Sequence, residues 1–344
     1  MPAFMPRILK RFPLAEGAQF GPWPTFDPFL FSVHHVDLYP KGDGRLGVER
    51  ALLSGRDLGQ DFAGKDGFRM YHGKRVPGFP SHPHRGFETV TIARRGLIDH
   101  SDSLGAAARF GEGDVQWLTA GAGIQHSEMF PLLSTTSPNP AELFQIWLNL
   151  PAAKKMVRPY FSMLWSETVP RLEEDGASVA VIAGSLAGRT PPSPPPDSWG
   201  SDPRSELGIW AIQLVRGGRL VLPATATEAL RTLYVFAGDE LGVNGERIEG
   251  RTGLVLSSDA ETHLHAEGPV EVLVLQGRPI GEPIAQYGPF VMNTRAEIQQ
   301  AFADYQRTQF GGWPWPASDP DHGPTRGRFA RHADGRVEER GGGA

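Results

Sequence analysis

Hydrophobic positions fall mostly in short runs bounded by Gly, Pro, Asp or Asn. Thr89–Ile92, Leu143–Leu150, Ile209–Val215, Arg219–Leu222, Thr232–Ala237 and Val270–Leu275 are of this kind, rich in β-branched and aromatic residues. Such runs read as strands, because branched and aromatic side chains pack well on a pleated surface. Many of them at close spacing predict an all-β protein of antiparallel sandwiches or barrels. One stretch has the helical period instead. Ile298, Ala301, Phe302 and Tyr305 recur at i, i+3, i+4 and i+7, behind a Thr294/Glu297 capping box and ahead of Gly311-Gly312. They predict one C-terminal helix with a single apolar stripe, packed on a sheet.

The strands fall into two sets, and the sets echo each other. Thr89–Ile92 leads through Gly96 and a hairpin to Gly113-Asp114, much as Thr232–Phe236 leads to Gly238-Asp239 and a hairpin. A chain of 344 residues has room for two domains. The expected organisation is a first β-barrel over 1–150, a second over 151–310 and an extended tail over 311–344. The run Gly188-Arg189-Thr190-Pro191-Pro192-Ser193-Pro194-Pro195-Pro196 opens an exposed proline-rich loop, 188–206, in the second domain. Trp313 and Trp315 are candidate anchors for the tail.

Composition narrows the chemistry. The net charge of −5 speaks against a nucleic-acid surface. No apolar run reaches the ~18 residues of a membrane span. Met1-Pro2-Ala3-Phe4-Met5-Pro6 lacks the basic-then-apolar order of a secretory signal, so a cytoplasmic protein is expected. There is no cysteine, so any transition metal must be held by His and carboxylates.

Two segments carry that chemistry. In His82-Pro83-His84, residues i and i+2 of an extended chain face the same way, and Pro83 favours a strand edge. His126-Ser127-Glu128 has the same spacing after the turn Gly121-Ala122-Gly123. Brought together, the two segments would offer three imidazoles and a carboxylate to one divalent cation, with positions left open for water or substrate. Glu88 shares parity with His82 and His84, so the carboxylate could be Glu88 or Glu128. His100, on the return arm of the hairpin, reads as a surface polar group or a support behind the ligands. The adjacent pair His34-His35 would diverge in a strand. His263-Leu264-His265 has the right spacing but no earlier partner pair, since Thr225 and Thr227 stand where His82 and His84 stand in the first half.

The run Gly78-Phe79-Pro80-Ser81-His82-Pro83-His84-Arg85-Gly86-Phe87-Glu88-Thr89-Val90 resembles the signature of the pirin family, within the cupin superfamily. The likeness continues through Asp102–Gly105, Gly113–Gly121, Gly123–Glu128, Leu143–Pro151, Gly281–Ile284 and Gly288–Thr294, and so spans roughly residues 5 to 312. The resemblance implies a bicupin: two antiparallel, jelly-roll-like β-barrels, with one mononuclear metal, usually iron as Fe(II), in the first. The family's HxH and HxE ligands fall on His82, His84, His126 and Glu128, and its second barrel is metal-free. The implied activity is that of a quercetin 2,3-dioxygenase, opening a flavonol ring with O₂ and loss of carbon monoxide. Glu128 would take the proton of the substrate hydroxyl, and Phe79, Phe87, Phe130 and Trp147 would line an apolar mouth for a flat aromatic substrate. The family also suggests two alternatives: a metal- and redox-dependent regulatory module that binds a protein partner, and a dioxygenase for another aromatic or enolic substrate.

Overall fold

The structure is a computed structural model and describes residues 7–15, 21–225 and 228–341. By contacts the chain divides into two units, Met1–Ser32 with Glu167–Gly281 and Val33–Ser166 with Glu282–Ala344. The expected bounds at 150 and 310 follow chain order. The contacts instead give the first unit the amino-terminal stretch and the second unit the helix and tail. Among the described residues the fold is strands plus one α-helix, Arg295–Thr308. No helix among them is long and apolar enough to cross a membrane.

The first unit has two antiparallel sheets. One runs in the order Ile8–Pro13, Thr252–Ser257, Leu230–Ala237, Val270–Gly277, Gly208–Leu214, Ala177–Ala183, Arg171–Glu174. The other runs Arg219–Leu222, Thr262–His265, Glu240–Val243, Glu246–Glu249. Alternate residues of both sheets, among them Ile212, Val272, Leu220, Val243 and Leu264, form one buried core, as the period of two requires. Each expected barrel is thus a pair of open sheets in the jelly-roll manner. The proline-rich loop is only partly exposed. Pro195 and Ser198 are buried, and the Pro195 carbonyl accepts from Ser198 N at 3.0 Å and Ser201 Oγ at 2.7 Å.

The second unit repeats the plan. Its five-stranded sheet runs Tyr160–Leu164, Val115–Thr119, Phe87–Arg95, Asn139–Asn149, Phe29–Tyr39. Its six-stranded sheet runs Val337–Glu339, Phe329–Arg331, Ala107–Gly111, Leu97–Asp102, Ile124–Met129, Gly78–His84. Gly78–His84 is an edge strand, the place Pro83 demands. The tail is therefore built into a sheet: Phe329–Arg331 pairs with Ala107–Arg109, and the buried Arg109 donates to the Gly323 and Arg326 carbonyls, both at 2.7 Å.

The helix opens on the expected capping box, with Thr294 and Glu297 bonding reciprocally. It ends earlier than Gly311, at Gln309, which takes a left-handed conformation and donates its N–H to the Tyr305 carbonyl. Ile298 and Ala301 pack on Phe290 and Met292 of the hairpin Ala285–Tyr287/Phe290–Met292. That hairpin meets the chain just past His84, where Val291 N donates to the Arg85 carbonyl at 3.0 Å. Arg85 in turn donates to Asp304 on the helix at 2.9 Å and to the Ala122 carbonyl at 2.7 Å.

Gly86 is the pivot between the two sheets. Its φ is +84°, and a Cβ there would lie 2.0 Å from the Val291 carbonyl oxygen. Gly86→Ala is expected to cost roughly 1–3 kcal/mol or more of stability, read as a lower urea midpoint. An unchanged midpoint would contradict this account of the pivot.

Candidate metal centre

Two neighbouring antiparallel strands create the cluster. Gly78–His84 pairs with Ile124–Met129 so that His82 lies directly opposite His126, after a register shift between Phe79 and His82. His84 follows His82 at i+2 on the same face. The ring centroids are 4.5 Å apart for His82–His126, 4.8 Å for His82–His84 and 5.0 Å for His84–His126. One nitrogen from each ring lies within 4.8 Å of the other two. Glu128 follows His126 at i+2, and its Oε2 is 4.0 Å from His126 Nε2.

The outer hydrogen bonds aim these rings. His82 Nδ1 faces the Pro80 carbonyl at 2.9 Å, and His84 Nδ1 faces the Pro289 carbonyl at 3.4 Å. A ring nitrogen facing a carbonyl must carry the proton, which leaves each Nε2 as a lone-pair donor. His126 is fully buried, and among the described residues neither of its ring nitrogens has a hydrogen-bond partner. An orphaned imidazole nitrogen of this kind is costly unless a cation takes its lone pair.

The electrostatics agree. Loss of water pushes the His82 imidazolium down to about 4, and His84 and His126 well below their usual range, with the neighbouring histidines adding to the effect. All three are therefore neutral near pH 7, the form that binds metal. Burial pushes the Glu128 carboxyl up, opposed by the charge of His100 and a hydrogen bond from Thr91. Three neutral imidazoles form a donor group that a divalent cation fits, and the Glu128 carboxylate lies beside it, 4.0 Å from His126 Nε2. Imidazole and carboxylate suit iron, manganese, nickel, copper or zinc alike.

The other candidates lie elsewhere. Glu88 does not share the face of the histidines, because the chain turns at Gly86 and joins the other sheet. It is fully buried and accepts from Thr119 Oγ1 at 2.7 Å and Trp117 Nε1 at 3.3 Å. His100 is no surface group: it is fully buried, opposite Glu128 in the strand register, with its ring 5.6 Å from His126 and its Nε2 3.3 Å from Asp102. His34 and His35 diverge, His34 to Glu142 at 3.0 Å and His35 to the Tyr71 hydroxyl at 2.7 Å. His263 and His265 sit beside Glu261 and Glu267 at 3.6 and 3.5 Å, and His263 is exposed. Thr225 bonds Ser258 at 2.7 Å, and Thr227 lies outside the described residues. Phe87 and Trp147 flank His84 at 5.0 and 5.4 Å, and Phe79 is 6.4 Å from His82. Phe130 packs on Phe79 and Tyr71.

Comparison with known proteins places this site in a family. A family profile described as Pirin matches residues 52–148, and one described as the Pirin C-terminal cupin domain matches residues 209–311. The chain is 37% identical over 275 residues to a protein of Pseudomonas aeruginosa named "putative quercetin 2,3-dioxygenase", a match covering 76% of this chain and 91% of that one. The chain belongs to the pirin family. It is also 34% identical over 257 residues to human pirin, covering 71% of this chain and 81% of the relative. A crystal structure titled as quercetin 2,3-dioxygenase from Acinetobacter baumannii superposes with a TM-score of 0.70 at 31% identity, covering 90% of this chain and 99% of that one.

In this pirin-family chain the first profile contains all four of His82, His84, His126 and Glu128, while the tail after 311 lies beyond both profiles. Several groups around the site carry no mark in the sequence. Thr91 and Gln145 look like ordinary polar strand positions, yet Thr91 Oγ1 is 3.2 Å from Glu128 Oε1. Lys155 is buried, with its Nζ donating to Gly86 O at 2.8 Å, Asn149 Oδ1 at 2.7 Å and Val291 O at 3.1 Å. It ties down the turn after His84. The tail touches the same sheet: Ser81 N donates to Ser318 O at 2.7 Å, and Trp315 Nε1 to Asp102 O at 2.8 Å.

In the presence of a chelator, ¹⁵N spectra at pH 5.5 are expected to show His82, His84 and His126 as neutral imidazoles. Stability should then fall as pH drops from about 6.5 towards 4, because the unfolded chain takes up protons that the folded rings refuse. Imidazolium shifts from all three rings at pH 5.5 would contradict the geometry.

Proposed function

We propose that this chain is a metal-dependent dioxygenase that opens flavonols such as quercetin, with His82, His84, His126 and Glu128 holding one divalent cation, Fe(II), per chain. The observation that carries the reading is the buried His126, whose two ring nitrogens have no hydrogen-bond partner among the described residues, grouped with His82 and His84 and with the Glu128 carboxylate 4.0 Å away. The names of the Pseudomonas and Acinetobacter relatives support the reaction class. When bound, the cation would supply Lewis acidity, favouring the ionised form of a hydroxyl presented to it.

The chain's own groups do the rest. Phe79, Phe87 and Trp147 form apolar walls beside the histidines and suit a flat aromatic substrate. Trp147, Gln145 and His82 are only partly buried although they face the site, so a substrate can reach it. Glu128 is the carboxylate within the cluster that can accept the substrate hydroxyl's proton at an oxygen. The apolar surroundings keep water from competing for that proton.

The iron-loaded protein, given quercetin under O₂, is expected to consume it with release of carbon monoxide at a rate on the order of 1 s⁻¹ or faster. Turnover thousands of times slower would argue against the catalytic reading and favour a regulatory role or another substrate. Glu128→Ala should weaken metal binding by more than the roughly 10–100-fold that outer hydrogen-bond partners contribute. Glu88→Ala should keep the metal while losing about 1–3 kcal/mol of stability, because it strands two buried donors. Metal loss from Glu88→Ala alone would overturn the ligand assignment.

A further inference from the structure

The three histidines and Glu128 stand on two adjacent strands of one sheet, but Glu128 alone is gripped from the opposite sheet. Thr91 on Phe87–Arg95 and Gln145 on Asn139–Asn149 are direct cross-strand partners. Thr91 is buried, and its Oγ1 lies 3.2 Å from Glu128 Oε1 and 2.7 Å from Gln145 Oε1, both placed to accept its one proton. A hydroxyl has one proton and two lone pairs. If Glu128 is ionised, that proton goes to the carboxylate, and the Gln145 amide turns its NH₂ to Thr91 Oγ1. The oxygen and nitrogen of an amide are interchangeable in such a contact. With the amide turned over, the chain would run from Gln145 N–H to Thr91 Oγ1 and from Thr91 O–H to Glu128 Oε1. Glu128 Oε2 stays on the His126 side, 4.0 Å from Nε2.

We propose that Gln145 and Thr91 are positioning residues that hold Glu128 Oε1 away from the cation, so that Glu128 offers Oε2 alone. The inference rests on the metal-binding reading above and adds a control on it. A carboxylate restrained at one oxygen would present the other to a bound cation. Released from Thr91, the carboxylate would spread over several rotamers and hold the cation less firmly. The restraint also holds the carboxylate's direction, which its own strand does not fix, because a glutamate side chain has three rotatable bonds.

The test uses the full chain loaded with Co(II), whose visible spectrum reports its ligand set. Thr91→Val keeps the volume and removes the hydroxyl. It is expected to raise the Co(II) dissociation constant roughly 10–100-fold and to change the visible bands, at an unchanged far-ultraviolet circular dichroism spectrum. Gln145→Met should shift both in the same direction, and Thr91→Ser should restore both. An unchanged affinity and spectrum in Thr91→Val would overturn the positioning role, as would a loss that Thr91→Ser fails to rescue. A wild-type chain that takes up no Co(II) would instead defeat the ligand reading itself, so the two failures are distinguishable.

Discussion

The pairing of His82 with His126 across two antiparallel strands is the constraint on which the site depends. Side chains alternate along a strand, so a slip of one residue would send His126 and Glu128 to the other face, away from His82 and His84. The edge position of Gly78–His84 makes this register vulnerable, since among the described residues one neighbouring strand of the sheet holds it. Most of the local structure secures it from other directions. The hairpin ending at Met292 pairs with Arg85, Lys155 caps the Gly86 carbonyl, and the helix grips Arg85 through Asp304. Hydrogen bonds from Arg85, and then from Arg307 and Gln300, hold the Asp304 carboxyl down at about 2. Its side of that link is therefore ionised throughout the neutral range.

The same arrangement stores an electrostatic demand. Imidazoles without water lose their protons, and a carboxylate without water is pushed towards protonation. Neither trend helps the metal-free protein, since His126 gains no hydrogen bond and Glu128 gains only Thr91. A cation answers both at once: it takes the lone pairs and balances the carboxylate charge. The site is thus better suited to a bound metal than to its own empty state, which is the physical content of the family resemblance.

Much of this was legible in the sequence, for identifiable reasons. HxH and HxE each put two side chains on one face of a strand, though spacing alone leaves the carboxylate open between Glu88 and Glu128, and the Thr294/Glu297 box and its stripe define a helix locally. What was not legible depends on non-local pairing. The parity that seemed to align Glu88 with His82 fails because Gly86, at positive φ, turns the chain into the other sheet. Of the two readings of His100, the surface one fails, because its strand lies between Ala107–Gly111 and Ile124–Met129 and its ring packs on Phe161 of the other sheet. Chain order could not say that Ile8–Pro13 would pair with Thr252–Ser257, or that Phe329–Arg331 would extend the histidine-bearing sheet. Thr91 and Gln145 gain their meaning only from a contact between sheets.

The central claim is that three imidazoles and one carboxylate of a single unit share one cation. X-ray absorption of the iron-loaded full chain, with its metal content measured on the same sample, addresses that claim most directly. The account predicts one iron per chain, with scattering from three imidazole rings and from oxygen. A chain that binds no iron, or iron whose surroundings lack imidazole, would contradict it.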